Sequence, residues 1–296
     1  MSQRFGHVAL VGRPNVGKST LLNALIGEPL AIVTHKPQTT RDQILGLFND
    51  ARGQIAFVDT PGIHKRKDHS LNRRLNRLAS ASLASVDVVV AVVDARHEHD
   101  EDERVFELLD RIDDRPRLLV INKIDTLSDR AALLPRTEAL MARLPFDAVV
   151  YTAATRGDGV EDLLTEVFAR LPEGAPAYDD SLFTDRSMRF LAAEAVREQL
   201  MLNLHQEIPY GLTVVIERYE TGPRRTEIDA LVVVNEARHK GMVIGRGGEV
   251  LKRVGSLARR RIEALVGGPV HLALHVKVKS GWLEDEALLE QFSSAT

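Results

Sequence analysis

The chain has 296 residues, with 39 Lys and Arg against 42 Asp and Glu, a net charge of −3, and 44% hydrophobic, 27% charged and 5% aromatic residues. That composition suits a folded chain of about two domains and excludes wholesale disorder, a collagen-like repeat or low complexity. The absence of cysteine excludes disulfides, thiolate metal sites and cysteine nucleophiles, and no run of about 18 apolar residues offers a membrane-spanning helix.

Residues 1–12 lack the basic-then-apolar layout of a signal peptide, so the expectation is a cytoplasmic protein. Residues 7–11 form an apolar run ending at Gly12, followed by a helical pattern over 18–26. Apolar runs recur at 55–58, 88–93, 118–121 and 148–151, the one at 88–93 reading VVVAVV. Helical patterns lie between or after them at 71–84, 101–112, 131–144 and 160–171. Unbroken apolar strands alternating with helices predict an open, mostly parallel α/β sheet covered on both faces.

Residues 171–180 read LPEGAPAYDD, a composition that ends the last helix and predicts a linker. Beyond it come a long helical pattern at 187–204 and β-rich runs at 212–219 and 227–234. A helix, a glycine knot at 245–248, a helix at 249–265 and a strand at 270–278 complete a smaller α+β unit. The expected division is residues 1–172 as one domain, 173–184 as linker and 185–296 as a second domain.

Gly12, Arg13, Pro14, Asn15, Val16, Gly17, Lys18 and Ser19 match G-x-x-x-x-G-K-[ST] between the first strand and the first helix, with Thr20 next. The glycines let backbone N–H groups face a polyphosphate, and the helix adds its positive N-terminal end. Lys18 is placed to reach the β- and γ-phosphates, and Ser19 to give a hydroxyl to Mg²⁺. Asn122, Lys123, Ile124 and Asp125 follow an apolar strand, at the end of an open sheet where ligands bind. Asp125 can accept from the N1–H and N2–H₂ edge of guanine, whereas adenine would leave it unpaired, which selects GTP and GDP. Asn122 suits a tie between the base and the phosphate loop, and Lys123 a place along the ring.

Asp59, Thr60, Pro61 and Gly62 end another strand. Asp59 is the expected second Mg²⁺ contact, and the Gly62 N–H is placed to sense a γ-phosphate. In Gln38-Thr39-Thr40-Arg41-Asp42 one threonine should close over Mg²⁺ and the γ-phosphate; Thr40 is the choice and Thr39 its rival. Lys18, Thr40 and Gly62 are thus the residues expected to act on the reacting phosphate, and Ser19, Thr40 and Asp59 those expected to hold metal. Ile63 stands where a water-orienting glutamine would be, and the adjacent His64 is a poor substitute, so slow intrinsic hydrolysis is expected.

Ile244, Gly245, Arg246, Gly247 and Gly248 open a helix that carries Lys252 and Arg253. Such a G-x-x-G loop lets a nucleic-acid backbone approach main-chain N–H groups at a helix N-terminus. Between Glu236 and Gly281 ten Lys and Arg face three acids, a local charge of +7 inside a chain of −3, the electrostatic footprint of a nucleic-acid surface. For Arg259, Arg260 and Arg261 a solvated helix face is the competing reading. Trp282, the single tryptophan, suits either base stacking or a packed anchor at the chain end.

In the order GRPNVGKST, PQTTRD, FVDTPG and NKID, the chain resembles the translation-factor class of P-loop GTPases, and within it the Era-type, TrmE-Era-Der-like ribosome-assembly GTPases. The second half, with two strands ahead of its G-x-x-G loop, resembles a type II KH domain. The resemblance implies hydrolysis of GTP to GDP and phosphate with Mg²⁺, binding of single-stranded 16S rRNA, action on the 30S ribosomal subunit, and a monomer. It also implies K⁺ held by Asn15 near the phosphates, although Asn15 equally suits a turn, and peripheral association with the inner face of the cell membrane. The family's last guanine-contacting loop has no full counterpart here. Thr152-Ala153-Ala154-Thr155 stands in its place, with the backbone of Ala153 and Ala154 implied to meet the base. A nucleotide-gated regulator whose basic half binds a membrane surface or a protein is the alternative; a metabolic kinase fits poorly, because residues 122–125 specify guanine.

Overall fold

The structure, a computed structural model, describes residues 3–36, 39–62, 70–96, 99–112 and 115–294. Gln38, Ile63 and His64, which the sequence singles out, lie outside the described residues. Most of the chain up to Asp185 forms one compact unit, and Arg186 onward forms the body of another.

The first unit runs β1 (Arg4–Val11), α1 (Lys18–Ile26), β2 (Ile44–Asp50), β3 (Gly53–Asp59), α2 (Ser70–Ala84), β4 (Val88–Asp94), α3 (Asp100–Asp110), β5 (Arg117–Asn122), α4 (Leu133–Arg143), β6 (Ala148–Thr152) and α5 (Val160–Arg170). Its six strands lie in the order β2-β3-β1-β4-β5-β6. The pairs β1–β3, β1–β4, β4–β5 and β5–β6 are parallel, as the unbroken apolar runs predict. Every residue of β3 and of β4 is buried, which is why neither alternates polar and apolar.

The antiparallel edge strand β2, paired with β3 from Ile44↔Asp59 to Asp50↔Gly53, is absent from the sequence reading. Gly46 interrupts its apolar run. A Cβ there would stand 2.8 Å from Leu22 Cδ1 and 2.9 Å from Ile26 Cγ1, so the glycine lets α1 close on the sheet. The outer edge of β2 is covered by the stretch expected to be linker. Leu47 N–H donates to Phe183 O at 2.9 Å, and Thr184 Oγ1 donates to Leu45 O at 2.6 Å. Upstream, the buried Gln54 amide accepts from the N–H groups of Ala177 and Tyr178. Covering an open edge in this way hides its unpaired backbone groups.

The second unit contains α6 (Met188–Asn203), β7 (Leu212–Thr221), β8 (Thr226–Val234), α7 (Ala237–Ile244), α8 (Glu249–Val266), β9 (Val270–Val278) and α9 (Glu286–Ser294). In the sheet β7-β8-β9, the first pair is antiparallel and the second parallel. Helix α8 turns Val254, Ala258 and Ile262 inward at four-residue spacing, leaving Lys252, Arg253, Arg259 and Arg260 exposed. Helix α6 is buried on nearly every side, including Arg197, whose guanidinium meets both oxygens of Glu194 at 2.6 Å. Arg261 turns inward to Glu198, so one of the three consecutive arginines is a structural ion pair rather than surface charge. Trp282 is buried, its ring edge-on to Phe292 of α9 with centroids 5.7 Å apart, which makes it an anchor and removes the base-stacking alternative.

Candidate functional site

The phosphate loop joins β1 to α1. Gly17 has φ +101°, a region that side chains avoid, and an added Cβ would collide with the Asn122 amide. Asn15 also takes a left-handed conformation, φ +63°, which asparagine tolerates best among non-glycine residues. Helix α1 starts with no side-chain cap and no acid in its first turn, so its N-terminal N–H groups are available to an anion. Arg13 is tied to Asp102 of α3, Nε to Oδ1 at 3.2 Å, and Thr20 is half-buried one residue beyond Ser19.

Lys18 is buried, and its Nζ donates to Gly12 O at 3.0 Å and Arg13 O at 3.1 Å, the loop's own carbonyls. Burial lowers its pKa to about 8, a shift that the Asp59 charge opposes and Arg13 reinforces. Asp59, at the end of β3, is pushed upward by burial, opposed by Lys18 and by hydrogen bonds from Ser19 and Thr40.

Ser19 Oγ donates to Asp59 Oδ2 at 2.7 Å and lies 2.9 Å from Thr40 Oγ1, which is 3.4 Å from the same carboxylate oxygen. Asp59 Oδ1 is buried and without a hydrogen-bond partner among the described residues. Two hydroxyls and a carboxylate with one unpartnered oxygen are a hard donor set, which fits Mg²⁺. Thr39 is not part of it: its hydroxyl lies 2.7 Å from Thr34 Oγ1 and donates to Lys36 O. Thr60 Oγ1 donates to Leu10 O, Pro61 follows it, and Gly62 lies against the phosphate loop, where a Cβ would come within 2.8 Å of Pro14 Cγ.

Asn122 is buried at the end of β5 and bridges two loops. Its Nδ2 donates to Val16 O at 2.9 Å, and its Oδ1 accepts from Thr152 Oγ1 at 3.0 Å and Ala154 N–H at 3.2 Å. The Ala153 N–H donates to Asp158 O, so both alanine amides already have protein partners beside the base-reading loop. Asp125 sits in the short 3₁₀ turn Ile124–Thr126, with Arg156 Nε 3.5 Å from its Oδ2. Lys123 Nζ donates to Asn15 O and, at 2.8 Å, to Asp94 Oδ2. Arg156 and Asp94 escape the sequence reading; Thr152 is in it only as part of the stretch 152–155, without its bond to Asn122. Asp94 left a signal all the same, because it ends an apolar strand as Asp59 does.

In the second unit, α7 ends at Ile244, capped by Gly245, and α8 begins after Gly248, with Arg246 and Gly247 exposed between them. Gly247 has φ +60°, Gly248 φ +81°, and an added Cβ would meet nothing within 4 Å at either. Ile244 and Gly248 are half-buried, and Lys252 and Arg253 project from the first turns of α8.

A phosphate loop with a buried lysine, a cluster of two hydroxyls and a carboxylate, and an N-K-x-D loop on one mostly parallel sheet, followed by a helix–G-x-x-G–helix unit, define a P-loop GTPase carrying a KH domain. Residues 7–123 match the family model described as 50S ribosome-binding GTPase, and residues 207–283 match the KH domain model. The chain is 45% identical to GTPase Era of Bordetella pertussis, over 97% of this chain and 96% of that one. It is 46% identical to GTPase Era of Pseudomonas syringae pv. tomato, over 97% and 95%. A crystal structure of an Aquifex aeolicus Era variant bound to GDP and AlF₄⁻ superposes with a TM-score of 0.95 at 34% identity, covering 99% of this chain and all of that one. A structure of Era in complex with MgGDPNP and nucleotides 1506–1542 of 16S ribosomal RNA matches with the same score, identity and coverage. The chain belongs to the Era family of GTPases.

Proposed function

We propose that this chain is a guanine-nucleotide switch that hydrolyses GTP slowly and binds single-stranded 16S rRNA through its KH unit during assembly of the 30S subunit. The observation that carries the reading is the meeting of Ser19, Thr40 and Asp59 beside the buried Lys18, on the same chain as an exposed, basic G-x-x-G loop. Support for the RNA comes from the relative solved with a GTP analogue and a 16S rRNA segment.

In this reading residues 12–20 wrap the phosphates. Lys18 exchanges its two carbonyl partners for β- and γ-phosphate oxygens, and its charge is worth more there than in water because the site is buried. Ser19, Thr40 and Asp59 hold Mg²⁺, which when bound neutralises charge building on the phosphates. Thr40 and Gly62 meet the γ-phosphate side, so the segments that carry them respond to its loss. Asn122 fixes the base loop to the phosphate loop, Lys123 lies along the base, Asp125 reads its N1 and N2 edge, and residues 153–154 border it.

Residues 1–172 are the GTPase domain, 173–184 the connection and 185–296 the KH domain. The RNA backbone runs over residues 244–248, with Lys252 and Arg253 on its phosphates. Among the described residues no helix is long and apolar enough to cross a membrane, and we place the working protein in the cytoplasm as a monomer.

The test is a titration of the full chain, with Mg²⁺ and a non-hydrolysable GTP analogue, against a labelled oligoribonucleotide of 16S nucleotides 1506–1542, the same RNA as a duplex, and anionic vesicles. Preference for the single strand by at least about tenfold supports the reading. Equal binding to all three, or preference for vesicles, replaces it with a general polyanion or membrane surface.

A further inference from the structure

Asp94 has no place in the roles above, yet it is the most completely engaged side chain near the base loop. It ends β4 in register beside Asn122 of β5 and is 2% exposed. Its Oδ1 accepts from the Arg96 N–H at 3.0 Å and from Arg96 Nε at 3.1 Å. Its Oδ2 accepts from Arg96 Nη2 at 2.9 Å and from Lys123 Nζ at 2.8 Å. About four acceptor sites are what a carboxylate offers, and all are used.

We propose that Asp94 is a positioning residue for guanine-nucleotide binding: its carboxylate pins the Lys123 ammonium against the phosphate loop, so that the lysine stem is already laid out where the purine must stack. This rests on the reading of residues 122–125 as the base loop.

Lys123 needs such a partner. A lysine has four rotatable side-chain bonds, and ordering them only when ligand arrives would subtract from affinity. Here the backbone of Lys123 is left-handed, φ +68°, and Thr126 Oγ1 holds its carbonyl at 2.7 Å, so the start of the stem is fixed. The far end is held by Asp94 Oδ2 and Asn15 O. Both ends of the side chain are therefore set before any nucleotide contact, and the ordering is not charged against binding. Burial raises the Asp94 carboxyl, but the hydrogen bonds from Arg96 and Lys123 outweigh it and hold the group well below the usual carboxylate range, so it stays ionised at any working pH. The Asp94 anion also offsets the two cations that meet on it, Arg96 and Lys123.

The test is a double-mutant cycle on the full chain, read as dissociation constants for fluorescent GTP and GDP. Asp94→Asn keeps the shape and removes the charge. It should weaken both nucleotides alike, by about tenfold, with faster release of each. Lys123→Met should weaken both as well, and the double variant should be no weaker than Lys123→Met alone. Arg96→Ala should lose far less, because it leaves the Asp94–Lys123 bond in place.

Four results overturn the proposal: Asp94→Asn within twofold of wild type, losses that add in the double variant, an Arg96→Ala loss equal to that of Asp94→Asn, or unequal effects on GTP and GDP. If Lys123→Met itself binds as wild type does, the reading of the base loop fails and the proposal falls with it. Should Asp94→Asn not fold, Lys123→Arg reads the same clamp from the other side. Its planar guanidinium does not reproduce the ammonium's point contacts to Asp94 Oδ2 and Asn15 O, so a similar loss is expected, and affinity within twofold of wild type overturns the proposal.

Discussion

Replacing Arg246 and Gly247 by aspartate together should uncouple RNA binding from nucleotide binding. Both residues are exposed at the start of α8, and a Cβ on Gly247 meets nothing within 4 Å, so there is room for both side chains. The backbone at 247 is left-handed, which costs aspartate about 1 kcal/mol, a sum that a two-unit protein should survive. An RNA phosphate over the loop would meet two new anions and lose one cation. Each unit-charge contact near 4 Å is worth between about 1 kcal/mol in water and about 4 kcal/mol at a partly shielded surface. Taking the weak limit for each carboxylate gives a loss of at least about 2 kcal/mol, or about thirtyfold in Kd. Losing phosphate contacts should also flatten the plot of log affinity against log salt by about one unit per contact. The assay is fluorescence anisotropy of the labelled single strand across a KCl series, with melting temperature as the folding control and GTP affinity as the internal reference. If the double variant binds RNA within threefold of wild type while remaining folded, the G-x-x-G loop is not the RNA site.

Three further outcomes are expected. Asp125→Asn should weaken GTP by at least about tenfold and favour xanthosine triphosphate, whose C2 carbonyl offers an acceptor where guanine has its N2 amino donor, in a competition titration. GTP affinity should fall as pH rises from 7 to 9, because Lys18 titrates at about 8; protonated lysine binds phosphate, so the drop across that window is about tenfold, and a flat profile contradicts the burial argument. The fluorescence of Trp282 should not be quenched by saturating RNA, since the ring packs on Phe292, whereas Trp282→Ala should destabilise the second unit by about 3–5 kcal/mol in denaturant titration.

The parallel core was legible because full burial leaves an unmistakable mark: β4 reads VVVAVVD with no polar break. The phosphate loop was legible because its chemistry fixes residue types at fixed spacing. Strand β2 was not, because Gly46 looks like a breaker until α1 is seen lying on it. The covering of its edge by residues 183–184 depends on partners 139 positions apart, which no local pattern reveals. Helix α9 is only nine residues long, and its Trp282–Phe292 contact is likewise tertiary. Around the site, the sequence names the side chains expected to meet ligand, while the contacts that hold two of them in place are not legible in it. Thr152 supports Asn122, and Asp94 supports Lys123, through contacts that only the folded sheet brings together. Arg261 was read as surface charge because Glu198, its partner, lies 63 residues away.

Phosphate release by the full chain tests the central claim most directly, measured with GTP and with ATP, with Mg²⁺ and with a chelator, and repeated for Lys18→Ala. The site built by Ser19, Thr40 and Asp59 around Lys18, and read out by Asp125, predicts slow release from GTP alone, dependent on Mg²⁺ and lost in the variant. Equal release from ATP, or GTP hydrolysis that survives both the chelator and Lys18→Ala, would contradict it.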